Sequence, residues 1–156
     1  MKLWLWLTLA GVVAAVLGFM PFERTDVAKL RPVEVIAVSV HEGNIEVDTD
    51  TDARGTGEDL NVAFENMKKT TPGNVFLDTA DFLLLEPGCE ELLPELTEYL
   101  RPGCQVCLCI GKLDMEKAAM FLRSHEPGIT LQLYRAEMAE LPMLVANEEE
   151  MELVYG

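Results

Sequence analysis

Residues 3–20 constrain this chain more than any other stretch. No position in the run is charged, and only Thr8, Gly11 and Gly18 interrupt its apolar side chains. At about 1.5 Å per residue a helix over it reaches roughly 27 Å, enough for the hydrocarbon core of a bilayer. Leu3, Trp4 and Trp6 at one end and Phe19 and Met20 at the other are the expected anchor residues. Lys2 and the α-amine supply a positive front, and the tryptophans suit the headgroup level. The best offer of small residues for a signal peptidase is Val13-Ala14-Ala15. A cut there leaves an apolar stub with no polar region before it, so an uncleaved transmembrane anchor ended by Pro21 is expected. No cysteine follows the run, so lipid anchoring through a lipobox is not expected. Arg24, Lys29 and Arg31 outnumber the charges before the span, so charge alone does not set the topology.

About 135 residues remain of the 156, enough for one domain of ordinary size. With 49 % apolar residues a packed core is affordable. The 27 acidic against 12 basic residues give a net charge of -15. That sign opposes nucleic-acid binding, which needs a positive surface to displace counterions, and keeps the body off anionic lipid. Four cysteines without framework spacing do not describe a disulfide-rich mini-protein.

Residues 21–32 read as a tether between two prolines. A β-branched run at 33–40 (VEVIAVSV) predicts a buried strand, and Glu42-Gly43-Asn44 a turn into a second strand at 45–49. Gly55 and Gly57 then open a polar loop. Over 58–69 the spacing of Leu60, Ala63, Phe64 and Met67 predicts a helix. Short apolar runs at 75–77 and 82–85 read as one interrupted strand or two, and 89–100 as a helix that tolerates Pro94 only in its first turn or as a kink. A strand at 106–110, a helix to about 124 capped by Asp114, and a strand at 129–134 complete the domain. The expectation is an α/β domain over 33–136, a mixed sheet of about five strands with three covering helices, preceded by the transmembrane helix at 1–20. Residues 137–156 read as an acidic tail whose apolar patch is 141–145.

Candidate chemistry is sparse. Cys104-Gln-Val-Cys107 has the spacing of a thiol redox pair, but it runs into a strand where a reactive pair needs a helix N-terminus. Cys107 and Cys109, two apart, share one face there, and small buried thiols in a sheet core are the simpler account. Asp48, Asp50, Asp52 and Asp59 fall at calcium-loop spacing, yet Ala53 stands where the turn glycine belongs and a strand precedes instead of a helix. The plainer reading is a solvated strand face carrying Glu46, Asp48, Asp50 and Asp52. His41 and His125 are isolated, and no nucleophile elbow or phosphate loop accompanies them. Neither catalysis nor a cofactor is expected. Two alternatives stay open: an anchored calcium-responsive or ligand-sensing protein, and a thiol redox protein using Cys104 and Cys107.

The order of elements, together with V-E-V-I-A-V-S-V-H-E-G-N-I-E-V (33–47), G-E-D-L-N-V-A-F-E-N-M (57–67) and V-F-L-D-T-A-D-F-L-L-L (75–85), resembles the N-terminal domain of the Ger(x)C family, the C subunits of spore germinant receptors. Tyr99-Leu100-Arg101-Pro102 and the following strand fit as well, and residues 141–156 resemble the start of the family's next domain. Unlike that family's usual lipoproteins this chain has no lipobox, and it stops where a second domain would begin. The resemblance implies a non-enzymatic, extracytoplasmic subunit that docks onto integral-membrane germination proteins at the spore inner membrane. Leu144, Val145 and Tyr155 are the expected contact residues, with an unpaired sheet edge as the other means of contact.

Overall fold

The computed structural model describes residues 30–147 and 150–156. The elements in order are β1 (Leu30–Pro32), β2 (Val35–His41), β3 (Asn44–Thr49), β4 (Arg54–Gly57), α1 (Leu60–Thr70), β5 (Asn74–Phe76), β6 (Phe82–Leu85), α2 (Leu93–Leu96), β7 (Gln105–Gly111), α3 (Met115–Ser124), α4 (Leu131–Glu137), β8 (Met143–Ala146) and β9 (Met151–Val154). Seven strands form one mixed sheet in the order β4-β3-β2-β6-β7-β8-β9. Its centre, β2-β6-β7-β8, is parallel, with two antiparallel strands, β3 and β4, on one flank and one, β9, on the other. β1 and β5 make a separate parallel pair. The α/β class and the mixed sheet are as expected.

Local chemistry explains the elements that match. β2 and β3 join through Glu42 and Gly43, both at positive φ, the backbone of a two-residue hairpin turn that fits strand twist. Asp59 caps α1 by accepting from Val62 N–H at 2.8 Å, and Asp114 caps α3 by accepting from Lys117 N–H at 3.1 Å. Leu60, Ala63, Phe64 and Met67 are the buried residues of α1, as their spacing predicts.

Five expectations are corrected. Gly55 and Gly57 belong to a strand, because β4 lies against α1 so closely that a Cβ at Gly55 would stand 2.1 Å from the Ala63 carbonyl oxygen. The expected helix at 89–100 shrinks to a 3-10 turn, Glu90–Leu92, and the single turn of α2, where Pro94 occupies the first-turn position that needs no N–H. Residues 131–137 are a helix where a strand was expected. Thr130 caps it by accepting from Leu133 N–H at 3.1 Å, and only a bridge between Gln105 and Thr130 remains of strand pairing. Residues 143–154 are no tail: β8 pairs with β7 in parallel and β9 folds back on β8, which raises the sheet to seven strands. Likewise residues 30–32, expected at the end of the tether, form β1, while 21–29 lie outside the described residues.

The sheet has two unequal faces. Face one carries Ile36, Val38, Val47, Leu83, Leu85 and Val106, packed under α1, α2 and α4. Face two carries Val35, Phe82, Leu84, Cys107 and Leu144, packed under α3. Among the described residues no helix is long and apolar enough to cross a membrane. The expected anchor, with Leu3, Trp4, Trp6, Phe19 and Met20, lies outside those residues.

Candidate functional surfaces

Strand alternation separates the two cysteines of the C-x-x-C motif. Cys104 packs with Val106 in the face-one core and Cys107 with Leu84 in the face-two core, so the sheet stands between their side chains. All four cysteines are free thiols. Burial pushes Cys104 up to about 12 and Cys109 up to about 11, and it raises Cys107 as well. Each stays a protonated thiol at neutral pH, the opposite of what redox chemistry needs. For the alternative that pairs Cys104 with Cys107, the odd spacing of three sends the two side chains to opposite faces of the sheet, where they do not meet.

The aspartates of the calcium pattern are also drawn apart. Asp48 pairs with Arg54 across β3 and β4, Nε to Oδ1 at 3.0 Å, and Asp59 is the cap of α1. Asp50 accepts from Glu34 N–H at 3.1 Å, tying the β3–β4 loop to the start of β2. Burial raises its pKa, against the lowering effect of its backbone hydrogen bonds. Asp52 sits exposed in the turn at φ 61°. Among the described residues no group of three or more His, Cys, Asp or Glu is arranged to hold a metal ion.

The expected contact residues divide by strand face. Leu144 is 0 % exposed and belongs to the face-two core, so it is no surface group. Val145, its neighbour, is half-buried. Tyr155 is exposed, and its hydroxyl donates to the Glu126 carbonyl at 3.1 Å.

Two concave surfaces among the described residues each hold more than 600 Å³. The first lies on face two at the C-terminal ends of β2, β6 and β7, the end of a parallel sheet where ligands most often bind. It holds about 620 Å³ over a floor of Ala37, Leu84 and Cys109. His41, Glu86 and the Asp48–Arg54 pair stand around it, with Leu113 and Met115 toward α3. Glu86 is engaged by Val40 N–H at 3.3 Å. Burial pushes the Cys109 thiol on that floor up to about 11, so it stays protonated at neutral pH.

The second lies on face one between α2 and α4 and holds about 700 Å³. Leu93 and Leu131 form its floor, Pro94 and Tyr134 its walls, and Met138 one lip. Glu90, Glu91 and Glu98 line it on the acidic side, with Arg135 opposite. Sequence reasoning missed this cleft because 129–134 reads as a strand. The signal that was there is Thr130, a cap residue, followed by Leu131 and Tyr134 at helical spacing.

At the opposite end of the sheet, where the chain enters β2, Glu34 pairs with Arg123 of α3 and Asp81 with Arg101. Thr79 Oγ1 accepts from Val33 N–H at 3.0 Å and donates to the Val33 carbonyl at 2.9 Å, locking the β1–β5 pair to the N-terminal ends of β2 and β6. The chain matches no family model, no curated protein and no solved structure.

Proposed function

We propose that this chain is a non-enzymatic subunit moored in a membrane by residues 3–20, with its α/β domain on the extracytoplasmic side, and that it acts through protein–protein contacts. The resemblance to the N-terminal domain of the Ger(x)C family supplies the setting: spore germination, at the spore inner membrane, with integral-membrane germination proteins as partners. The observation that supports the reading is how few residues separate the apolar run from the first described strand. That strand starts at Leu30 and is bound into the fold through β5 and Thr79. Residues 21–29 span at most about 3.5 Å each, so the body stays within roughly 30 Å of the end of the apolar run. Confinement on that scale raises the concentration of the domain felt by neighbouring membrane proteins without any new contact. The net charge of -15 keeps the domain off anionic headgroups and open to basic partners.

Membrane fractionation of the full chain tests this. The wild type is expected to stay in the pellet through an alkaline carbonate wash and to dissolve in detergent, whereas Leu9→Arg, which places a charge mid-run, releases a large fraction. Recovery of the wild type in the carbonate supernatant would overturn the mooring.

A further inference from the structure

We infer that the cleft between α2 and α4 is the docking groove for a basic amphipathic helix of a partner protein. The inference goes beyond the mooring, since it rests on the described domain alone. The floor residues Leu93 and Leu131 are each 1 % exposed, while Met138 at the lip is 75 % exposed. A large apolar side chain thus stands in solvent beside a cavity of about 700 Å³.

The main chain decides what kind of element enters. Thr97 N–H bonds Leu93 O at 3.2 Å, Tyr134 N–H bonds Thr130 O at 2.9 Å and Met138 N–H bonds Tyr134 O at 2.7 Å. Walls built from helical turns offer no strand edge to an extended peptide, so recognition runs through side chains, the mode of a helix in a groove. Apolar residues at i, i+3, i+4 and i+7 of the partner fill the floor.

Charge decides the sign. Glu91 and Glu98 are exposed on the rim and Glu90 stands with them, against the single Arg135 of the lining. Lysine or arginine on the flanks of the incoming helix meets these carboxylates, and an acidic helix is repelled. A second copy of this chain carries -15 itself and is disfavoured for the same reason.

The test uses the full chain in phosphatidylcholine nanodiscs, with empty discs as control. The probes are a labelled amphipathic peptide of about fourteen residues, leucine on one face and lysine on the flanks, and its counterpart with glutamate for lysine. Fluorescence anisotropy is expected to give saturable binding of the lysine peptide, about tenfold or more tighter than its counterpart and weakened by salt. Met138→Lys and the double variant Glu91→Lys/Glu98→Lys alter exposed positions, and circular dichroism checks that both fold. Each is expected to weaken the lysine peptide about tenfold or more, and the double variant to reverse the order of the two peptides.

Equal affinities, absence of saturation, or unchanged binding in both variants would overturn the proposal. So would self-association abolished by Met138→Lys, or an apolar dye seated in the cleft that the lysine peptide fails to displace. Peptide binding by a chain that fractionates as soluble would remove the mooring and leave the cleft standing, so the two failures are distinguishable.

Discussion

Under α1, α2 and α4, the sheet encloses Phe64, Leu60, Leu83 and Leu85, each at most 1 % exposed, and Phe64 stacks on Tyr99 with ring centroids 4.5 Å apart. On the other side α3 is the sole cover among the described helices. Beyond its reach β2, β3 and β4 turn Ser39, His41, Glu46, Asp48, Arg54 and Thr56 toward solvent. Stability therefore concentrates on face one, and the strip of face two over β2–β4 is a surface whose residues change at little cost. The face that carries the fold is also the one whose helices leave an apolar cleft between them.

The largest way to break this contrast is to empty it. Phe64→Ala is expected to cost about 3–5 kcal/mol, whereas Phe121→Ala, from the half-buried ring that stacks on His125 beside face two, costs less than half as much. Urea unfolding followed by circular dichroism measures both. Equal losses would mean the two faces share the load.

Alkaline pH sharpens the comparison without a mutation. Below the ordinary thiol value of 9.0, Cys104 is protonated in folded and unfolded chains alike and costs nothing. Above it the unfolded chain loses the proton while the buried thiol keeps it, so stability falls until the folded-state value near 12 is reached. The slope from Cys104 is at most about 1.4 kcal/mol per pH unit, and Cys107 and Cys109 add to it from face two. Urea midpoints at pH 8 and pH 10 are expected to differ accordingly, and Cys104→Ala to flatten the difference. A pH-independent midpoint would contradict the burial of the thiols.

Smaller effects mark the ends of elements. Asp114→Ala removes the cap of α3, the sole cover of face two among the described helices, and is expected to cost about 1 kcal/mol. Arg54→Ala breaks an exposed cross-strand pair and is expected to shift stability by at most about 0.5 kcal/mol. A much larger loss would show that the polar strip is structural.

What could be read in the sequence followed local rules. The α1 face, the Glu42–Gly43 hairpin and the Asp114 cap each depend on residues within a turn or two of one another. The misreadings depend on distant partners. Arg54-Gly-Thr-Gly57 offers only Thr56 as a strand former, and its glycines let α1 pack closely against the pairing with β3. Residues 143–146 and 151–154 are four-residue strands whose place in the sheet is set by β7, more than thirty residues upstream of β8. Ile129-Thr-Leu-Gln-Leu-Tyr134 alternates like a strand, yet the Thr130 cap turns it into a helix. The separation of Cys104 from Cys107 was legible, since the two-residue period that groups Cys107 with Cys109 also sends Cys104 to the other face.

Site-specific photo-crosslinking in membranes of cells that make the protein tests the central claim most directly. A crosslinker replacing Met138, at the lip of the cleft, is expected to give a discrete adduct with an integral-membrane protein. The same group replacing Thr56, on the open polar strip, is expected to give none. Adducts from Thr56 alone, or none from Met138 while the chain remains in the membrane pellet, would contradict a moored domain that works through its cleft.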